Sequence, residues 1–424
     1  MNKKSLSLAL FFTLFISGCT YQLPSTDVVP TETVEFLVPV QPIENPTTAN
    51  TPALPATEET TPPTPEIKSA DQEKTNRFTY YFDQHKIEQY CLEFPQMHID
   101  KPIDTGDRFV VSVSEQNNIS IAFPEDGTLR PLFAPEFPNG HLLLNNIDFD
   151  NPWYTYMVVD SPSETGEWNL HVVNLDEDTN TTITDKGQHN SLSFNTYTSL
   201  DSGMLYLSTS TFDGKDVLSS QLYAFDLASN NVELLIDNQD PQSFMANIAA
   251  SNGYIVIENN VPKEPVRGLT LFDISNRTWL ELPKNNPASM PDMEFPFIVW
   301  KNNESFEHPT SFTIFNIETG ISRRVDISGR ESQDISIYDG FAIAPASTGK
   351  NLSINSIMLY PIENESAYAI QIGIDEVLAR DAYIENGNVI WSFTILADLS
   401  EYSSFLCKLP LQTVMSESSQ GIED

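Results

Sequence analysis

The sequence is short of positive charge. Its 424 residues carry 22 lysines and arginines against 59 aspartates and glutamates, a net charge of −37. A surface so negative repels phosphate backbones and anionic headgroups, so nucleic-acid binding and polybasic membrane docking are excluded as primary roles. Bound cations or a basic partner stay compatible with it, as does a plain solvated surface that resists aggregation. Long apolar runs are missing too: the longest, Leu6 to Ile16, is too short to span a bilayer. Apolar residues nevertheless reach 40%, with 25 Phe and 15 Tyr, which permits a large packed core. The length allows two or more average domains, or one large all-β domain with appendages.

Signatures of catalysis and metal binding are equally scarce. The six histidines, His85, His98, His141, His171, His189 and His308, form no HExxH and no other close pair of ligand spacing, and there is no GxSxG elbow. The STGKN run at Ser347 has Ala344 where a phosphate loop needs its first glycine and Asn351 where it needs a magnesium-binding hydroxyl. Asp176-x-Asp178-x-Asn180 begins like a calcium loop, yet Thr181 stands at the turn glycine and Gly187 at the bidentate glutamate. Asp213-Gly214-Lys215-Asp216 reads as a loop tip. Asp148 and Asp150 could join a cation site only if the fold brought further oxygens to them. No catalytic residue, metal ligand or cofactor is assigned.

The N-terminus is informative. Lys3 and Lys4 precede the apolar run, the pattern of an export signal. The run closes with Ile16-Ser17-Gly18-Cys19, which resembles the lipobox of bacterial lipoproteins: a branched apolar residue, two small residues and a cysteine. The resemblance implies that residues 1–18 are removed and that Cys19 becomes the acylated first residue. Acyl chains anchor because each buried methylene adds about 0.8 kcal/mol. Residues 19–74 then hold ten prolines and no glycine, with Tyr21 and Phe36 their only aromatics. Such a segment cannot bury enough surface to offset its conformational entropy, and is expected to be a disordered linker. As a flexible coil it would reach on the order of 40 Å. Val34 to Val40, VEFLVPV, is the one stretch of it that could dock as a short strand.

From residue 75 the chain repeats. An alternating strand, a turn and a second strand recur at Leu170 (LHVVNLDEDTNTTIT), Leu222, Leu269 and Phe312, with degenerate copies at Ile119, Ile357 and Phe405. Successive starts lie 51, 52, 47, 43, 45 and 48 residues apart, in the range of propeller blades. Ahead of each copy lies a densely apolar strand, such as DRFVVSV at Asp107, WYTYMVV at Trp153 and GYIVIEN at Gly253, expected to be the inner strand buried on both faces. Two elements in register seven times predict an all-β fold: a β-propeller of seven four-stranded blades over 75–412, with six or eight as alternatives. Residues 413–424 are expected to be an acidic disordered tail. The five tryptophans, Trp153, Trp168, Trp279, Trp300 and Trp391, sit in or beside strands, where core packing is their expected role.

LYAFDLASNN and FTIFNIETG resemble the blade motif of the TolB-like and related WD-repeat propellers of bacterial envelopes. The resemblance covers about residues 100–412 and implies an extracytoplasmic place in the cell envelope. A propeller must close its ring or leave edges exposed. Arg77 to Phe94, RFTYYFDQHKIEQYCLEF, could supply a strand to the last blade. With Cys19 spent on lipid, one cysteine remains at each end of the ring, Cys91 and Cys407, either as a disulfide pinning the closure or as two free buried thiols. The expected function is a lipid-anchored, monomeric, non-enzymatic propeller that binds a protein or glycan. The alternatives are a carbohydrate-active or other hydrolytic propeller, or an envelope assembly component.

Overall fold

A computed structural model describes residues 36–37 and 76–420, except the inter-strand segments 114–117, 126, 133–140, 160–167, 178, 185–192, 214–215, 239–242, 262–263, 284–287, 303–310, 327–334, 347–353, 375–376 and 397–401. Cys19, the leader, almost all of the expected linker, Asp178 and the STGKN run lie outside the described residues.

Seven antiparallel four-stranded blades form the ring. Blade 1 comprises Ile99–Asp104, Phe109–Val113, Asn118–Phe123 and Thr128–Pro131. The first strands of blades 2 to 7 are His141–Asp150, Ser193–Asp201, Phe244–Ser251, Ala288–Glu294, Ser336–Tyr338 and Val377–Glu385. Each meets the second strand through a tight hairpin. Blades 3, 4, 6 and 7 use a residue of positive φ followed by Gly203, Gly253, Gly340 or Gly387, the backbone that a two-residue hairpin turn matched to strand twist requires. Blades 2 and 5 use the cis peptides Asn151–Pro152 and Phe295–Pro296 instead.

The densely apolar strands are the second of each blade rather than the innermost. Phe109–Val113 is buried throughout, and its counterparts nearly so, because both faces meet neighbouring blades. Inside them lies a strand that periodicity did not reveal. In blades 1, 2, 4, 5 and 7 it is bulged, with register breaks at Asp100/Ile103, Leu143/Asp148, Met245/Ile248, Ser289/Asp292 and Arg380/Ala382. Bulges and polar residues together erase the alternation by which a strand is recognised.

Seven apolar cores fill the seven blade interfaces. Between blades 2 and 3, for example, Met157, Leu170 and Ile183 pack on Leu205, Leu207 and Phe225. Trp168, Trp300 and Trp391 are buried as expected. Trp279 is not: it is 52% exposed on the short outer strand of blade 4, against Phe272.

Both ends of the domain gather at blades 6 and 7. Asn76–Phe82 runs parallel to Ser366–Ile372, the outer strand of blade 6, and buries Tyr80 and Phe82. A short helix follows, Gln84–Tyr90, capped by Asp83, which accepts from the Lys86 N–H at 3.1 Å. Cys91–Pro95 then becomes the outer strand of blade 7, whose other three strands come from the C-terminus. Cys91 lies directly opposite Cys407, Cα atoms 4.1 Å apart, and the two are joined in a disulfide. The expected disordered tail differs: Leu411–Glu417 is helical, with Val414 in the core, and Ser419–Gln420 pairs with Thr79 and Phe78. The apolar side chains of that helix had a core to join, which its acidic neighbours concealed. Phe36–Leu37 pairs in parallel with Ile183–Thr184 at the outer edge of blade 2.

Candidate functional site

The first strands surround a central channel, and each has one backbone edge with no strand beyond it. Its N–H groups therefore need other acceptors. Side chains of the preceding blade supply them. Asp148 of blade 2 accepts from the Leu200 N–H at 2.6 Å and from its neighbour Phe149 at 2.8 Å. Asp292 of blade 5 repeats the arrangement with Ile337 at 2.9 Å and Met293 at 2.8 Å. Ser199 serves Ala250 at 2.9 Å, and Ser251 serves Phe295 at 3.1 Å. At the bulges, Lys101 and Met290 adopt positive φ, and their N–H groups go to Asp381 at 3.0 Å and Glu258 at 2.8 Å. These latches couple blade to blade around the ring.

The cavity within the ring holds about 810 Å³ and is lined by all seven blades. Its lining includes the carboxylates of Asp148, Asp150, Glu258, Asp292, Glu294, Asp381 and Glu385, with Lys101 as the one basic side chain among the described residues, paired to Asp381 at 3.1 Å. Burial pushes the Asp148 carboxyl up to about 7, with repulsion from Asp292 and Asp150, against the pull of its two N–H donors. Burial likewise raises Asp292 and Glu294. Glu385 rises to about 7 through burial and the charge of Asp104, with Lys408 pulling the other way.

These shifts fix a pH dependence. A carboxyl whose folded pKa lies above its unfolded value holds a proton that the unfolded chain releases, so stability grows as pH falls from about 8 through 7 and levels off near the unfolded value of about 4. The melting temperature is therefore expected to rise from pH 8 to pH 5.5, and to rise less in Asp148→Asn. Identical pH profiles would show that Asp148 does not titrate in that window.

The last paired residues of the seven first strands are Asp104, Asp150, Asp201, Ser251, Glu294, Tyr338 and Glu385. One end of the inner ring thus carries five carboxylates. The fold brings Asp148 and Asp150 to this region together with Asp292 and Glu294, which lie far away in sequence. Among the described residues no three His, Cys, Asp or Glu side chains converge as metal ligands. Asn180, in the turn that only begins like a calcium loop, points inward to His171, its Nδ2 3.3 Å from the ring Nδ1. A signal for the ring was present: in Asp150-Asn-Pro, Asp201-Ser-Gly, Glu294-Phe-Pro and Glu385-Asn-Gly, an acid stands just ahead of each turn.

No protein-family model matches the chain, and no curated protein does. Solved structures do. A prolyl endopeptidase aligns with a TM-score of 0.54 at 10% identity, covering 77% of this chain and 49% of its own. What this likeness shows is the propeller fold. The chain spans about half the length of that enzyme. TolB from Acinetobacter baumannii aligns at 0.39 and 11% identity over 74% of this chain and 64% of its own. An oligogalacturonate lyase from Vibrio parahaemolyticus aligns at 0.48 and 10% identity over 74% and 91%.

Proposed function

We propose that this protein is a lipid-anchored, extracytoplasmic binding propeller whose ligand, a protein segment or a glycan, enters the central channel. The observation that carries the reading is the open cavity of about 810 Å³ rimmed by polar groups from every blade. A hydrolytic reading would enlist its carboxyls of raised pKa as an acid and base pair. Asp148 and Asp292 suit that less well, because each already accepts backbone N–H groups on both of its oxygens. The Ile16 to Cys19 lipobox and the proline-rich segment behind it support anchoring with the propeller held off the membrane.

The test has two arms. Fractionated cells should hold the wild type in membranes and Cys19→Ala in the soluble fraction; a variant that stays on membranes contradicts the anchor. Arrays of envelope glycans and peptides should return ligands that Ser336→Trp no longer binds, since Ser336 lines the channel and its substitution leaves every carboxylate in place. Binding that survives would move the site elsewhere.

A further inference from the structure

The outer edges of two blades carry an added strand from the N-terminal side of the chain. On blade 6 the addition is long: Asn76–Phe82 runs parallel to Ser366–Ile372, with Tyr80 opposite Ile370 and Phe82 opposite Ile372. These four side chains are buried together in the core between blades 6 and 7, while Tyr81, in the alternate row, is 63% exposed. On blade 2 the described addition is two residues on the outer strand Thr179–Thr184, also parallel, with Phe36 opposite Ile183 and Leu37 opposite Thr184. Ile183 belongs to the core between blades 2 and 3, as Ile370 and Ile372 belong to the core that follows blade 6. Phe36 therefore holds on blade 2 the register position that Tyr80 and Phe82 hold on blade 6. Blade 3 offers a seat beside it. Val232 and Leu234 of its outer strand, Asn231–Asn238, stand opposite Phe225 and Tyr223, which pack in the same core as Ile183. Residues directly opposite on paired strands share a face, so both turn toward blade 2, and they are 40% and 41% exposed.

We propose that the chain's own segment Val34–Val40 is a fifth strand of blade 2, entering in parallel along Thr181–Thr184 and seating Val34 and Phe36 against Val232 and Leu234 of blade 3. The sequence of the segment, VEFLVPV, suits that place. Alternate residues of a strand share a face, and the row that contains Phe36 is wholly apolar: Val34, Phe36, Val38 and Val40. The other row has Glu35 and Pro39, a charge and a proline, which keep an outermost strand from recruiting another. The same chain can supply the strand. Residues 38–75, at roughly 3.1 Å each in extended polyproline form, span about 120 Å, whereas a domain of this size has a radius of gyration of about 20 Å. Docking divides the linker. With Cys19 anchored, the free spacer is residues 20–33, which reaches on the order of 20 Å as a flexible coil, and it leaves from the rim of blade 2 instead of blade 6. That rim is then held nearest the membrane, and both mouths of the channel stay clear. The position relative to the membrane rests on the anchoring read from Cys19; the docking does not.

Hydrogen–deuterium exchange of the full chain, read by mass spectrometry, tests the docking. The slow amides of 34–40 are expected to exchange about tenfold or more slower than those of 47–57 elsewhere in the linker. Phe36→Asp/Leu37→Asp should bring 34–40 to the linker rate and speed exchange in 179–184, with the melting temperature of the ring kept. Val232→Ser/Leu234→Ser, which changes only half-exposed side chains, should speed exchange in 34–40 several-fold. The control Ile321→Ser, at a residue 66% exposed on blade 5, should leave it unchanged. Exchange in 34–40 as fast as in 47–57 overturns the proposal, and so does protection that disappears on dilution, which would assign the strand to a second copy. Protection that survives Val232→Ser/Leu234→Ser overturns the seat on blade 3. Cys19→Ala should show the same protection as the wild type, so that a failure of anchoring and a failure of docking are told apart.

Discussion

Replacing Cys91 and Cys407 together by serine is expected to lower the melting temperature by roughly 5–10 °C, from a stability loss of about 2–5 kcal/mol. The reasoning comes from topology. The two residues are 316 apart in sequence and directly opposite on adjacent strands of blade 7. A crosslink enclosing so long a loop removes many conformations from the unfolded chain while asking little of the folded one. It also sits where the ring is otherwise closed by the hydrogen bonds of Cys91–Pro95 with Tyr402–Pro410, by side-chain packing and by ion pairs between blades 7 and 1. Calorimetry of the wild type with and without reductant, beside the double variant, measures the effect. Reductant should lower the wild type to the level of the variant and leave the variant unmoved. Equal melting temperatures for all three would mean that the bond does not hold the closure.

How much of this could be read beforehand depends on which strand is asked about. The second and third strands of each blade were legible, because burial on both faces, or on one, writes a continuous or alternating apolar pattern, as in Phe109–Val113 and Trp168–Asn174. The period between copies then gave the blade number. The first strands were not legible. Ala288–Glu294 reads ASMPDME, with Met290 at positive φ and a bulge before Asp292, and neither period survives. The candidate site lies on these strands, so it was hidden for the same physical reason: an edge that faces a channel needs polar latches where a core-facing strand needs alternation. Asp148 and Asp150 attracted notice as a pair, but their partners Asp292 and Glu294 arrive only through the ring. The end-strand Cys91–Pro95 was within reach because closure demands a partner for blade 7, whereas the docking of Asn76–Phe82 on blade 6 had no such topological requirement to announce it.

Arg380→Met is expected to cost about 3 kcal/mol, and Asp100→Asn/Arg380→Met to recover a large part of it. Asp100, 2% exposed on blade 1, meets the Arg380 guanidinium of blade 7 at 2.6 Å. Removing the arginine takes the counter-charge from a buried carboxylate, whereas removing both charges leaves only imperfect packing. Two further pairs cross the same seam, Lys101 with Asp381 at 3.1 Å and Lys408 with Asp104 at 2.5 Å. Blade 7 thus contributes Arg380, Asp381 and Lys408, and blade 1 contributes Asp100, Lys101 and Asp104, each charge meeting its opposite. The seam where the ring closes in space is therefore ionic, chiefly at its inner strands with Lys408 reaching in from the third strand of blade 7, while the blade that closes it is covalently pinned at its outer strand. If blade 7 opens as one unit during unfolding, losses from Arg380→Met and from Cys91→Ser/Cys407→Ser will add to less than their sum, because either break already frees the same segment. Denaturant unfolding of the single, double and combined variants measures that coupling. Strict additivity would instead show that the pinned outer strand and the ionic inner strand let go independently.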